Sequence, residues 1–165
     1  NAGMYHADLT PVGLYVENGA ELKKANNHAG PGNFHMRPNG IFYVAGKTVG
    51  VMETARYLKS RIRPEFASQS GPMLVIEGRL HPKITGQGTS AKIRNGVGIR
   101  ADGTALFVIT DESVTFSEFA LMFRDDLKAR NALYFDGSIS SLYAPSVSRS
   151  DRFMPVGPIV AVFGR

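Results

Sequence analysis

Four short runs of β-forming residues, each followed by a glycine-containing turn, constrain the fold of this chain more than any other feature. In chain order they are 12–17 with Asn18-Gly19, 41–45 with Gly46-Lys47, 73–77 with Gly78, and 97–101 with Asp102-Gly103. A tight connection between antiparallel strands needs positive φ angles, which Gly, Asn and Asp adopt at the lowest steric cost. The pattern therefore predicts four β-hairpins.

One clear helix is predicted at residues 116–128. It starts with Thr115-Phe116-Ser117-Glu118, a capping box in which the Thr and Glu side chains bond backbone N–H groups. Apolar residues then recur on one helical face, which indicates a stripe buried in the core rather than a cofactor-binding surface. Residues 54–60 fit either a short helix or a loop.

Together these elements predict an α+β fold of mostly antiparallel hairpins in one domain, residues 1–165. The helix 116–128 is expected to be a crossover that leads into a buried strand at 132–136. Residues 145–158 are rich in Pro, Ser and charge, which favours a surface excursion, and 159–163 is predicted to be a last buried strand.

Composition narrows the possible functions. The chain has no Cys, so disulfides, thiolate metal sites and a Cys nucleophile are excluded. Its four His show no metal-binding spacing, and no G-x-S-x-G nucleophile motif is present. The formal charge of +5 is not gathered into a basic run, so it does not indicate nucleic acid and fits an anionic small substrate equally well. No stretch approaches the roughly 20 apolar residues that span a bilayer.

Topology brings several charged residues toward one sheet edge. Asp111 follows the strand before the helix and Asp136 follows the strand after it. If those strands are parallel, their carboxyl ends lie at the same edge, and the antiparallel strand 97–101 starts there as well. We therefore expect Arg94 and Asn95 to lie near the two carboxylates.

Two segments of small residues are candidates for the lining of a pocket. One is Gly137-Ser138-Ile139-Ser140-Ser141, whose N–H groups and hydroxyls can approach a ligand closely. The other is Gln69-Ser70-Gly71-Pro72, which leads into the run at 73–77. Taken alone, each is better explained as an ordinary turn.

Four separated blocks together resemble the phosphodiester glycosidase family, in the order in which that family has them. They are Asn1-Ala2-Gly3-Met4-Tyr5, Gln69-Ser70-Gly71-Pro72-Met73-Leu74, Arg94-Asn95-Gly96-Val97-Gly98-Ile99, and Asn131-Ala132-Leu133-Tyr134-Phe135-Asp136-Gly137-Ser138. The family includes the enzyme that uncovers mannose 6-phosphate by removing N-acetylglucosamine from its phosphodiester. The sequence looks closer to the bacterial, exopolysaccharide-related branch.

The resemblance implies a hydrolase that cleaves the glycosidic bond of a sugar-1-phosphodiester or a phosphorylated polysaccharide. It implies a pocket faced by Asn1, Ser70, Arg94, Asp136 and Ser138, with Gly3, Gly71 and Gly137 allowing close approach of the backbone. In that mechanism Arg94 would bind the phosphate, and Asp136 would act as nucleophile or as the base for water, with Asp111 or Glu112 as its partner.

The sequence departs from the family at two places. Ser138 and Ile139 stand where animal members have a longer glycine run, so the sugar preference is expected to differ. Family members usually have strands before the Asn-Ala-Gly block, which here starts the sequence, so the start is expected to come from a longer protein and the pocket to lack a wall. The resemblance weakly favours a periplasmic or secreted location.

Alternatives stay open at this stage. A non-catalytic module that binds phosphorylated envelope polysaccharide would need the same pocket, and a purely structural domain would need only the turns. No cofactor is indicated, although Asp111, Glu112 and Asp136 leave a divalent cation possible. Retention versus inversion of the anomeric centre and the oligomeric state are not determined by the sequence.

Overall fold

The computed structural model describes residues 1–86, 88–137 and 139–164. In this part of the chain, one five-stranded sheet contains β1 Tyr15–Glu17, β2 Ala20–Lys23, β3 Gly40–Ala45, β4 Thr48–Glu53 and β5 Phe66–Ser70. A second five-stranded sheet contains β6 Met73–Ile76, β7 Arg79–Leu80, β8 Asn95–Arg100, β9 Ala105–Ile109 and β10 Ala129–Asp136. A small ribbon contains β11 Tyr143–Ala144 and β12 Arg149–Ser150.

The strand order is β2-β1-β5-β3-β4 in the first sheet and β7-β6-β10-β8-β9 in the second. Every pairing between these strands is antiparallel. The helices are α1 Thr54–Leu58 and α2 Phe116–Leu121, with short 3₁₀ turns at Asn33–His35 and Pro145–Val147. The chain is thus mostly antiparallel sheet with little helix, as the α+β prediction requires.

All four predicted hairpins are present: β1–β2, β3–β4, β6–β7 and β8–β9. Their turns use positive φ angles, among them Asn18 at 51°, Gly46 at 58° and Gly103 at 86°. These are the residues whose side chains, or lack of one, make that conformation accessible. Turn chemistry therefore locates the hairpins in this chain.

The core has layers on both faces of the second sheet. Side chains of β3 and β4 meet those of the second sheet in a cluster that includes Phe42, Val51, Leu133 and Phe135. The alternate residues of β10 point the other way, so that Tyr134 packs with Phe119 and Phe123 of the helical segment. The strand β10, buried on both faces, brings Asp136 to the end of this core.

The helical segment is shorter than predicted. It runs from Phe116 to Leu121 as α-helix and continues from Met122 to Asp126 as a π-helical turn, in place of the predicted 116–128. The capping box is present, with Thr115 N–H donating to Glu118 Oε2 at 2.8 Å. Lys128, at a φ of 57°, ends the segment and sends the chain into the next strand.

The strand after this segment is longer than predicted, since β10 begins at Ala129 rather than at residue 132 and ends at Asp136. The strands β9 and β10 are both antiparallel to β8, which lies between them. They therefore run in the same direction without pairing. This arrangement separates Asp111 from Asp136 by the width of β8.

The prediction of a last buried strand at 159–163 is wrong. The described part of this segment has no strand, and Phe163 is 88% exposed. Val160 packs against the core between the sheets, whereas Ile159 and Val162 are exposed. The apolar pattern gave no information on whether a neighbouring strand edge was available, and pairing requires such an edge.

Candidate functional site

Asp136 is the last residue of β10 and lies opposite Asn95 of β8, next to a register shift between Tyr134 and Asp136. Its Oδ1 accepts the N–H of Gly137 at 2.7 Å, and its Oδ2 accepts Asn1 Nδ2 at 3.2 Å. Burial raises the pKa of the Asp136 carboxyl group above its ordinary value, while these hydrogen bonds oppose the shift. The site therefore holds a partly buried carboxylate in a fixed orientation.

Asn1 stabilises the turn that follows this carboxylate through hydrogen bonds. Besides its bond to Asp136, its Nδ2 donates to the carbonyl oxygen of Ile139 at 2.7 Å. Its Oδ1 accepts the N–H of Ser141 at 3.1 Å. Because both ends of the amide are used on this turn, the structure gives Asn1 the geometry of a residue that positions Asp136.

Asn95 also stabilises this turn through hydrogen bonds. Its Nδ2 donates to Ser140 Oγ at 2.7 Å and approaches the Asp136 carbonyl oxygen at 3.4 Å. Ser140 Oγ in turn donates to the carbonyl oxygen of Gly137 at 2.6 Å. Asn95 is 5% exposed, and its Oδ1 has no hydrogen-bond partner among the described residues.

Arg94 lies inside the protein, at 1% exposure. Its Nε donates to the carbonyl oxygen of Val114 at 2.8 Å and its Nη2 to that of Ser90 at 2.7 Å. The guanidinium carbon lies 3.8 Å from the centre of the Phe116 ring, a cation–π contact. Desolvation by burial lowers the pKa of Arg94, and within the described residues its Nη1 has no partner and no carboxylate pairs with it.

Tyr134 links Arg94 to the turn after Asp136, and sequence reasoning did not single it out. Its ring centre lies 5.5 Å from the Arg94 guanidinium carbon. Its hydroxyl lies against Gly137, where an added Cβ would be far inside van der Waals contact of that oxygen. Burial raises the pKa of Tyr134 to about 12, so the phenol stays protonated at neutral pH. The sequence held one clue to this residue: Tyr134 lies two positions before Asp136, a spacing that in a regular strand places both side chains on the same face.

Tyr5 is a second residue of this region. It belongs to the first block that resembles the family, and the sequence predicted no role for it. Its hydroxyl is buried without a partner among the described residues, and its ring packs against Gly157. The pKa of Tyr5 is raised by burial and, to a smaller extent, by the negative charge of Asp136.

The structure does not bring Asp111 into contact with Asp136. Asp136 pairs with Asn95, which pairs with Ile109, and Asp111 follows two residues beyond Ile109, so the backbones of Asp136 and Asp111 are roughly 12 Å apart. Its carboxylate is exposed and accepts Arg149 Nη1 at 2.6 Å. No cluster of three or more potential metal ligands occurs in residues 1–86, 88–137 and 139–164.

The other predicted pocket residues are packed in the interior. The Ser70 hydroxyl is fully buried and donates to the carbonyl oxygen of Phe135 at 2.9 Å, joining β5 to β10. A Cβ on Gly3 would lie 3.0 Å from the Gln69 carbonyl oxygen, and one on Gly71 would lie 2.6 Å from Asn39 Cβ. Ser138, also predicted to face the pocket, lies outside the described residues.

A groove of about 480 Å³ opens between the two sheets at their opposite end. Arg130 at the start of β10 lines it, six residues from Asp136 and therefore about 20 Å away. Its rim carries the ion pairs of Glu77 with Arg56 and Arg130, which neutralise one another in part. This groove is separate from the Asp136 site.

No helix in the described part of the chain is long and apolar enough to cross a membrane.

Comparisons with known proteins identify the family of this chain. The sequence profile of the phosphodiester glycosidase family matches residues 1–163. The uncharacterized protein YigE of Escherichia coli is 42% identical over 143 residues, which are 87% of this chain and 56% of that protein. The chain thus spans about half the length of the curated relative it matches.

A solved structure shows a similar fold. The catalytic domain of zebrafish N-acetylglucosamine-1-phosphodiester alpha-N-acetylglucosaminidase, auto-inhibited by its pro-peptide, matches 84% of this chain and 50% of its own with a TM-score of 0.59. At 15% identity, this likeness concerns the fold alone. A hypothetical protein from Synechocystis matches 84% of this chain and 45% of its own, with a TM-score of 0.46 and 14% identity.

Proposed function

Because this chain belongs to the phosphodiester glycosidase family, we propose that it hydrolyses the bond between the anomeric carbon of a sugar and a phosphodiester. The substrate is a sugar-1-phosphodiester or a phosphorylated polysaccharide, and no cofactor takes part. The observation that supports this most is the carboxylate of Asp136, partly buried and held by Asn1 and the Gly137 N–H at the end of a core strand.

Asp136 is the catalytic carboxylate in this proposal. Glycoside hydrolysis passes through an oxocarbenium-like transition state, which an ionised carboxylate stabilises as nucleophile or as the base that activates water. Partial burial strengthens that electrostatic interaction, since less water screens it. Asn1 contributes by fixing the orientation of the carboxylate before the substrate arrives.

Arg94 provides the positive charge for the phosphate. A buried guanidinium without a carboxylate partner is unfavourable, and a phosphate oxygen would supply both the missing charge and a partner for Nη1. The Phe116 ring covers the guanidinium, so direct contact requires this side chain to move aside. Because phosphate is a good leaving group, charge stabilisation at this position matters more than protonation.

Asp111 is the second carboxylate in this proposal. Because β8 lies between them, the backbones of Asp111 and Asp136 are roughly 12 Å apart, which leaves room for water between the two side chains, as inverting enzymes require. We therefore propose inversion, with water between the two groups. Asp111 must leave Arg149 to take part, because that ion pair holds it at the surface.

A non-catalytic module that binds phosphorylated polysaccharide is the second candidate function. The observation in its favour is that no other carboxylate contacts Asp136 within the described residues, although hydrolysis usually employs a pair. Such a module would use Arg94 and Asn95 for recognition only. It would bind the polymer without consuming it.

One experiment separates the two functions. The protein is incubated with glucosyl and N-acetylglucosaminyl 1-phosphodiesters, and the released reducing sugar and its first-formed anomer are followed by NMR. Release of sugar with inverted configuration supports the hydrolase and its proposed stereochemistry. Saturable binding without release would instead support the binding module.

A further inference from the structure

The hydrogen-bond network fixes which end of the Asn95 amide points where. Ser140 Oγ uses its only proton on the carbonyl oxygen of Gly137, so it can only accept from Asn95. The Asp136 carbonyl oxygen, 3.4 Å from the same amide, is also an acceptor. The Nδ2 end therefore faces Ser140 and Asp136, and Oδ1 points away from them.

Asn95 Oδ1 is consequently a buried acceptor without a donor. Asn95 is 5% exposed, and no described residue donates to this oxygen. Buried polar atoms are nearly always satisfied in folded proteins, so an exception beside a reactive carboxylate calls for an explanation. It lies opposite Asp136 in the sheet register, so in the proposed function a donor on the sugar would reach it when this end of the sheet opens to the substrate.

The kind of group that fits this atom follows from its chemistry. An amide oxygen can only accept, and a phosphodiester at neutral pH offers only acceptors, so phosphate does not satisfy it. A sugar hydroxyl or an acetamido N–H does. The preceding residue, Arg94, leaves the opposite deficiency, an unpartnered donor at Nη1. Side chains of consecutive residues in an extended strand point to opposite faces of the sheet, so Arg94 Nη1 and Asn95 Oδ1 lie on different faces.

We propose that Asn95 Oδ1 accepts a hydrogen bond from a neutral donor on the sugar ring, which makes Asn95 the residue that selects the sugar. This inference rests on the proposed function and concerns the sugar end of the substrate. The same amide holds Ser140 and the backbone of Asp136. Sugar recognition and carboxylate placement are therefore coupled through one side chain.

The test combines substrate analogues with two variants. The substrates are methyl α-glucosyl phosphate, each of its single-deoxy analogues, and the corresponding N-acetylglucosaminyl and N-methylacetamido compounds. Asn95→Leu removes the acceptor at similar volume. Ser140→Ala is the matched control, because it loosens the same turn but leaves Asn95 Oδ1 in place.

The wild-type kcat/KM is expected to fall at least about tenfold for the one analogue that lacks the recognised donor. Asn95→Leu is expected to process that analogue and its parent within about twofold of each other, because the partner atom is gone. Ser140→Ala is expected to lower all rates while keeping the tenfold discrimination. The deoxy series and the N-methyl compound tell a hydroxyl donor from an amide donor.

Discrimination in Asn95→Leu equal to wild type at every position would overturn the inference while leaving the hydrolase proposal intact. If Asn95→Leu does not fold, Asn95→Ala takes its place, since it also removes the acceptor and is expected to lose the discrimination. If wild type releases no sugar at all, the hydrolase proposal fails, and the same comparison is made by calorimetric binding of the same analogues. Equal affinities across that series would overturn the inference independently.

Discussion

Replacing Arg94 by methionine separates the charge of this side chain from its volume. The change removes two charge-assisted hydrogen bonds to backbone carbonyl oxygens, which contribute about 1.5–3 kcal/mol each, and a cation–π contact of about 1–2 kcal/mol. It also removes the desolvation penalty of an unpaired buried cation, several kcal/mol. These terms oppose one another, so the free energy of unfolding should change by less than about 2 kcal/mol.

The expected effect on activity is much larger than the effect on stability. Removing one preorganised charge-stabilising donor typically lowers kcat by about 100- to 1000-fold. We therefore expect kcat/KM for a glucosyl 1-phosphodiester to fall at least about a hundredfold in Arg94→Met. A change of 2 kcal/mol corresponds to a shift in Tm below about 8 °C for a chain of this size.

The assay measures kcat/KM, Tm and the Kd of inorganic phosphate in wild type and in Arg94→Met. Arg124→Met is the matched control, because Arg124 lies on the helical segment and pairs with Asp125 at the surface. The control should leave all three quantities near wild type. Unchanged phosphate affinity and turnover in a folded Arg94→Met protein would refute the assignment of Arg94 to the phosphate.

Three further predictions concern other atoms of the site. Ser70→Ala leaves the buried Phe135 carbonyl oxygen without its donor and should destabilise the protein by about 1–3 kcal/mol in denaturant melts, with little change in kcat; an unaltered midpoint would argue against it. Gly137→Ala places a methyl group on the Tyr134 hydroxyl and should lower kcat at least about tenfold, with partial recovery when Tyr134→Phe is added. Burial raises the pKa of Asp136 in the folded protein, so its ionised form destabilises the fold above the pKa of the unfolded chain. Asp136→Asn should therefore have a higher Tm than wild type at pH 7 and a similar Tm near pH 3. Equal Tm values at pH 7 would contradict this.

The sequence predicts much of the sheet because turn chemistry is local. The hairpin turns require positive φ angles, and Asn18, Gly46 and Gly103 are residue types that adopt them at low cost. Their positions in the sequence therefore locate the hairpins. The neighbourhood of Asn95 and Asp136 is also predictable, since antiparallel connection of the strands determines which of their ends meet.

What the sequence does not predict depends on packing across the core. The direction of the long Arg94 side chain is set by Phe116 and Tyr134, which surround it only in the folded protein. The place of Asp111 depends on β8 lying between two strands of equal direction, and apolar periodicity does not specify strand order. For the same reason 159–163 looks like a strand but has no strand partner in the described structure.

The turnover of Asp136→Asn tests the central claim most directly, because this change keeps the shape of the side chain and removes its charge. Alongside it, Asp126→Asn is the matched control, an exposed aspartate of the helical segment. The account predicts that Asp136→Asn lowers kcat for a sugar-1-phosphodiester at least about a hundredfold in a folded protein, while Asp126→Asn stays near wild type. Turnover of Asp136→Asn within a fewfold of wild type would contradict it.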